Sequence, residues 1–201
     1  MQMEYSTVPA NAFKQIGSNA GMLLKDFDVE TGEYDPDDII GVTSGGINFQ
    51  ETMEISDYGE DMDNVPKGTK ELMRIDNRTA TVSGTFVTVN AELLEMLMAA
   101  SDNTNGHIVP RGIIDIDKDF RTLWYVLDYS DVNKSGTGTG AAQAGFIAIE
   151  MKNSISTGGF QVQSTDNGKA NFAFEFSPHY SLDAGDEVPY SVHIKAGTPA
   201  D

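Results

Sequence analysis

Cysteine is absent from the 201 residues. Disulfides, thiolate metal sites and a cysteine nucleophile are therefore excluded. The sequence also has no long apolar run, and no stretch approaches the roughly 20 residues needed to span a bilayer. The N-terminal segment lacks the basic and apolar regions of a secretory signal. We therefore expect a protein made and folded in a cytoplasm, with no membrane as a partner.

Basic residues are scarce as well. Thirteen Lys and Arg stand against 31 Asp and Glu, which gives a formal net charge of −18. Proteins that grip DNA use Lys and Arg to displace counterions from phosphates, so this charge disfavours nucleic-acid binding and binding to anionic membranes. A surface that lies near DNA without holding it is still allowed. The 10 Phe, 7 Tyr and 9 Met residues are spread along the chain, which indicates a folded protein.

The apolar pattern predicts a mostly β protein of about eight to ten strands with one helix. Residues 1–20 read as an extended N-terminal arm and residues 21–201 as a single domain. The helix is expected at about 90–100, where Asn90 is a good N-cap and Leu93, Leu94 and Leu97 form an apolar stripe. This pattern is typical of a β-sandwich or barrel with a packed helix. Strands are expected at 21–27, 47–55, 79–89, 121–129, 145–151, 159–165, 169–176 and 188–194.

The second half of the chain has the clearest strand signals. Alternation over 121–129 places apolar side chains on both faces, so both faces should be covered. Phe172, Phe174 and Phe176 share one parity and are expected to face a core. Asp166-Asn167-Gly168 favours a tight hairpin turn between the two flanking strands. The Gly-rich stretch 133–140 is expected to be a flexible loop.

A long connection is predicted at 57–70. The segment DYGEDMDNVPKGTK has neither strand nor helix periodicity. Connections of this length in compact domains are usually functional or disordered. Its acidic residues could bind a cation or serve as acid/base groups, but glycosidase carboxylates face each other across a cleft, which one loop does not predict.

No catalytic or metal-binding signature emerges. The three histidines at 107, 179 and 193 lack the spacing of a zinc site, and GTGTG at 136–140 lacks the rest of a phosphate-binding motif. Asp115, Asp117 and Asp119 begin like a calcium loop, but Phe120 replaces the required Gly and Val126 the bidentate Glu. On a strand these three carboxylates would point the same way and form an acidic stripe. We expect no enzyme, no metal and no cofactor.

Several stretches resemble, in sequence order, the major tail (tail tube) proteins of siphophages that infect Gram-positive bacteria. The likeness begins at the long loop, 56–72, and covers most of the chain to Ser181. It is carried by SDYGEDMDNVPKGTKEL at 56–72, TVSGTF at 81–86, the helix at 91–99, LWYVLDYS at 123–130, STGGF at 156–160, KANFAFEF at 169–176 and HYS at 179–181.

The resemblance implies a β-sandwich or barrel of the tail tube type, with a packed helix, a long inter-strand loop and an N-terminal arm. Six copies would close into a ring, and stacked rings would form the tube through which phage DNA passes during ejection. The loop would reach a neighbouring subunit, and the arm would take part in stacking. Other partners implied are the tape-measure, tail terminator and distal tail proteins. The protein would reside in the virion after assembly in the host cytoplasm.

The interface hypothesis assigns specific residues in the loop. Lys67, Lys70 and Arg74 follow its acidic half, so opposite charges on adjoining subunits could pair, mainly setting register. Asp115, Asp117 and Asp119 are candidate lumen charges that would let DNA pass without contact. The predicted interface residues are Asp57, Tyr58, Glu60, Asp61, Asp63, Asn64, Pro66, Lys67 and Lys70.

Two other functions stay open at this stage. One is a tube subunit of a contractile tail or injection system, which shares the fold class. The other is a carbohydrate- or cation-binding β-sandwich of a tail tip or cell surface, which predicts exposed aromatic side chains around a polar groove.

Overall fold

The computed structural model describes residues 16–129, 145–185 and 187–197. These residues are mostly β, as predicted, with ten strands and two short α-helices. The helices are α1 (Ala91–Leu97) and α2 (Ile116–Asp119). The strands are β1 (Gly17–Leu24), β2 (Thr43–Asp57), β3 (Met73–Phe86), β4 (Ser101–Thr104), β5 (His107–Pro110), β6 (Arg121–Tyr129), β7 (Gly145–Ser156), β8 (Gln161–Gln163), β9 (Asn171–Pro178) and β10 (Tyr190–Lys195).

Eight strands form one large antiparallel sheet. Six of them follow the order β1-β6-β7-β9-β3-β2, while β10 pairs with β7 and β8 pairs with β9. Strand β7 joins the two parts of this sheet. One edge of β7 pairs with β6, while the other pairs with β10 over 146–151 and with β9 over 154–156. The remaining strands, β4 and β5, form a separate hairpin. This arrangement is consistent with the predicted β-sandwich.

The main core is built from alternating apolar residues of the strands and from α1. Phe86 and Phe174 stack with ring centroids 4.3 Å apart, and Phe172 and Phe176 are buried beside them. The prediction that the three phenylalanines of β9 face the core is therefore confirmed. Each buried ring of this size removes a large apolar surface from water, so this cluster is a principal source of stability.

Strand β6 has the predicted bounds and is covered on both faces. Leu123 and Tyr125 belong to the main core, whereas Trp124 and Val126 belong to a second apolar cluster. Phe27 completes that second cluster by packing edge-on against Phe146, with centroids 5.0 Å apart. The segment after β1 therefore covers the outer face of the sheet at this point.

Helix α1 forms where predicted. The Asn90 side chain accepts a hydrogen bond from the Leu93 amide at 2.7 Å, which caps the first turn. The helix ends at Leu97, before the predicted limit of about 100. Leu93 and Leu97 are buried, and the Leu97 carbonyl accepts a hydrogen bond from the Ser156 hydroxyl at 3.0 Å.

Two details differ from the sequence predictions. Residues 17–20, placed in the arm, belong to β1, where Gly17 pairs with Tyr129; residues 1–15 lie outside the described part of the chain. The β8–β9 hairpin exists and Asn167 has a φ of 55°, but the connection spans 164–170 and is longer than the predicted tight turn at 166–168. The predicted flexible loop at 133–140 also lies outside the described residues.

Candidate functional site

The most distinctive feature of the fold is the long hairpin formed by β2 and β3. The two strands pair from Thr43↔Phe86 to Asp57↔Met73. Strand β9 pairs with β3 only between Val82 and Phe86, and β2 is the last strand in the sheet order. The distal part of the hairpin is therefore a two-stranded ribbon that continues beyond the third strand.

The two faces of this ribbon differ in polarity. Directly opposite residues of an antiparallel pair share a face, so Ile55 lies beside Ile75, and Met53 and Met73 are on the same side. The opposite face carries Thr52 paired with Thr79. Glu54 pairs with Asn77 and Ile55 with Ile75, so Asp76 has no counterpart in β2 and forms a bulge. This bulge keeps the apolar side chains of both strands on the same face.

The apolar face is uncovered. Met53, Ile55, Met73 and Ile75 are 46, 51, 42 and 44% exposed. Nearer the sheet the same face carries Val82, which is fully buried. The core side of the sheet thus continues outward as an exposed apolar strip, here called the hairpin apolar face and defined by Met53, Ile55, Met73 and Ile75. Contiguous exposed apolar side chains of this kind make the ribbon a candidate contact surface.

A polar cluster separates the buried and exposed parts of this face. Glu51 and Arg78 form an ion pair there, and Tyr190 from β10 meets both side chains. The hydrogen bond from the Tyr190 hydroxyl, with the charge of Arg78, lowers the pKa of Glu51. Burial is the main cause that raises the pKa of Tyr190. The Phe49 and Tyr190 rings pack together with their centroids 5.8 Å apart. The apolar core therefore ends at Tyr190.

The predicted interface loop connects β2 to β3, and Asp57 holds its ends together. The Asp57 carboxylate accepts hydrogen bonds from the amides of Gly68 at 2.7 Å and Gly59 at 2.8 Å. These bonds lower the pKa of Asp57 from its ordinary value of 3.8, with the Gly68 amide as the larger cause. Tyr58 and Leu72 are joined by a 3.0 Å backbone hydrogen bond, which extends the hairpin by one step.

The other predicted loop residues are brought together at the tip of the hairpin. They are exposed to solvent, and Tyr58 is 56% exposed. Two of the basic residues form ion pairs within the chain. Lys67 pairs with Glu60 at 3.0 Å, and Lys70 pairs with Glu71 at 3.4 Å. Arg74 has no ion pair within the described ranges. The exposed tip residues are Tyr58, Glu60, Asp61, Asp63, Asn64, Pro66, Lys67 and Lys70.

The acidic stripe expected at 115–119 does not form, because these residues are not in a strand. The Asp115 side chain instead caps α2 by accepting a hydrogen bond from the Asp117 amide at 3.1 Å. The Asp119 carboxylate, 3% exposed, pairs with Arg111 at 2.6 Å. Asp115 and Asp117 are exposed, whereas Asp119 is used inside the fold.

The sequence predictions named the loop and missed the hairpin apolar face. A signal was present, since Met53 and Ile55 have the same parity as Ile47 and Phe49 in the predicted strand. Met73 and Ile75 were not assigned to a strand, because Arg74, Asp76 and Asn77 interrupt the β-type composition. The pairing that joins the four side chains is visible only in the structure.

No protein-family model matches the chain, and no curated protein matches it. Within the described residues, no group of three His, Asp or Glu side chains is arranged to hold a metal ion. None of the helices found there is both long enough and apolar enough to cross a membrane.

Proposed function

We propose that this chain is a structural subunit that assembles with copies of itself, and that the assembly is the tail tube of a long-tailed bacteriophage. Six copies would close into a ring, and the rings would stack into a conduit for DNA. The observation that carries the proposal is the hairpin apolar face. Its four apolar side chains lie on a two-stranded extension of the sheet, on the same side as the core, and they are exposed. The resemblance of 56–181 to tail tube proteins supplies the kind of assembly.

Exposed apolar surface has a free-energy cost in water. Removing the four large side chains of the hairpin apolar face from water would lower the free energy of an assembly. A ribbon of two strands is marginal by itself and is stabilised by packing against another surface. A second subunit supplies that surface in a repeating assembly.

The charge of the chain supports a conduit over a DNA-binding protein. With a net charge of −18, the assembled subunits would repel phosphates and let DNA pass without holding it. The same charge makes copies repel one another, so association has to come from apolar contact with local charge pairing. The tape-measure, tail terminator and distal tail proteins would be the partners at the ends of such a tube.

The carbohydrate-binding alternative depends on exposed aromatic side chains around a groove. Phe172, Phe174 and Phe176 are buried in the core and are not available for that purpose. The alternative of a contractile-tail or injection-system tube shares the fold class. A sheath protein encoded next to this chain would favour that version of the proposal.

The proposal predicts that the hairpin apolar face drives self-association. Replacing Ile55→Ser and Ile75→Ser together should convert large assemblies into monomers in sedimentation velocity at high protein concentration. Because both side chains are only about half exposed, the free energy of unfolding should fall by about 2 kcal/mol for the pair.

The matched control is the double variant Thr52→Ala with Thr79→Ala, a directly opposed pair on the polar face of the same ribbon. It should assemble like the unmodified protein. Loss of assembly in both variants, or in neither, would contradict the assignment of the apolar face as the contact.

A further inference from the structure

The exposed methionines of the described residues are concentrated in the β2–β3 hairpin. Met53, Met62 and Met73 are 46, 50 and 42% exposed. The other methionines in the described ranges are buried or half-buried, namely Met22, Met96, Met98 and Met151. An oxidant dissolved in water therefore meets the thioether groups of the hairpin before those of the core.

Peroxides oxidise methionine at its sulfur atom. The sulfur lone pair forms an S–O bond to one oxygen of hydrogen peroxide and the O–O bond breaks. The departing hydroxide takes the proton of the transferred hydroxyl group and leaves as water. The sulfur loses the two electrons that the peroxide gains, and the product is a methionine sulfoxide. Thiols would compete for the oxidant, but the chain has no cysteine.

Two of the exposed methionines make up half of the hairpin apolar face. Met53 lies opposite Arg78 and Met73 lies opposite Asp57, so the two isoleucines of this face lie between the methionines. A sulfoxide at either position places a polar S=O group, which binds water, where an apolar side chain stood. Oxidation of both methionines therefore leaves one pair of isoleucines with a polar group on each side.

The effect of this oxidation falls on association and not on folding. In a free subunit the sulfoxides of Met53 and Met73 stay hydrated, because both positions are exposed. When the hairpin apolar face is covered by another molecule, the S=O groups lose that water, and burying a polar group without a hydrogen-bond partner is unfavourable. The core methionines Met96 and Met151 are protected by burial.

We propose that Met53 and Met73 form a modification site at which a peroxide blocks self-association of the free subunit. This inference rests on the proposed function, because it adds a form of regulation to the same contact surface. Methionine sulfoxide reductases return the sulfoxide to the thioether. The hairpin apolar face thus has an associating state and a non-associating state.

The test compares the unmodified protein with the double variant Met53→Leu, Met73→Leu, which keeps apolar side chains of similar volume. Both are treated with hydrogen peroxide as monomers at low salt, freed of oxidant and returned to assembly conditions. Peptide mass spectrometry measures the oxidation of each methionine, and sedimentation velocity measures the assembled fraction. Met53 and Met73 should oxidise about tenfold faster than Met96 and Met151.

The assembled fraction of the treated unmodified protein should fall about tenfold, because the sulfoxides resist burial. The treated double variant should assemble as fully as it does without treatment. Met62→Leu is the matched control, since Met62 is equally exposed but lies in the connection outside the hairpin apolar face. This control should stay sensitive to peroxide, and a methionine sulfoxide reductase should restore assembly of the oxidised unmodified protein.

Full assembly of unmodified protein that carries sulfoxides at both positions would overturn the proposal. Equal loss of assembly in the double variant, or oxidation of Met96 and Met151 at the same rate, would also overturn it. The untreated protein separates this failure from failure of the function. Untreated assembly without a peroxide effect would leave the proposed function standing and remove the modification site. Untreated protein that stays monomeric under every condition would remove both.

Discussion

Phe86 shows how single residues set the stability of this fold. Its side chain is fully buried and stacks on Phe174. Gly84, which lies directly opposite Phe174 in the sheet, leaves room for that ring, since an added Cβ would come within 2.7 Å of it. Phe86→Ala should therefore lower the free energy of unfolding by about 3–5 kcal/mol, measured by urea denaturation. Phe160→Ala, at a 41% exposed position, should cost much less. Equal losses would contradict the assigned core.

Asp57 makes the order of the hairpin tip depend on pH. Its pKa is lowered in the folded protein, so the unfolded chain binds the proton more readily. The stabilisation is complete above the unfolded value near 3.8 and is lost as pH falls through the lower folded value. The protection factor of the Gly68 amide, which compares its exchange with the intrinsic rate at each pH, should fall over that range, and Asp57→Asn should abolish the dependence. An Asp57 carboxyl that titrates at or above 3.8 by NMR would contradict this account.

At the scale of elements, the hairpin separates into a buried base and a projecting ribbon. Replacing the connection 58–72 by Asn-Gly would join Asp57 directly to Met73 through a turn suited to a two-residue hairpin. We expect an unchanged β-type circular dichroism spectrum and loss of large assemblies in sedimentation velocity. Loss of the folded spectrum would show that the connection supports the core instead.

Strands with strong apolar alternation could be predicted from the sequence. The predicted β6 bounds match the observed strand, and α1 begins at its predicted cap. Strands β2 and β3 are longer than predicted because their distal halves are stabilised by pairing with each other and carry many polar residues. The β4–β5 hairpin and α2 were missed since both are short, and the ion pair of Asp119 with Arg111 depends on tertiary contacts.

The candidate site was predictable only in part. The composition of 57–70 marked a long connection, and that connection lies at the hairpin tip. The hairpin apolar face required the register, because a bulge at Asp76 shifts the parity of β3 relative to the sequence. The exposed isoleucines Ile113, Ile114 and Ile116 gave no strand or helix signal, and their exposure is a property of the folded chain.

At the scale of the whole molecule, self-repulsion opposes the apolar contacts. Salt shortens the Debye length from about 10 Å at 0.1 M to about 3 Å at 1 M, so added salt should favour assembly of a chain with a net charge of −18. An assembly held by opposite charges alone would respond in the reverse sense. The salt dependence therefore shows whether repulsion between like-charged copies or attraction between opposite charges dominates association.

The central claim is that copies of this chain build a hollow tube. Negative-stain electron microscopy of the purified protein at high concentration, over a range of salt, tests it most directly. We expect six-fold rings or hollow tubes of uniform width that become more abundant as salt increases. Monomers alone at every salt and protein concentration would contradict it.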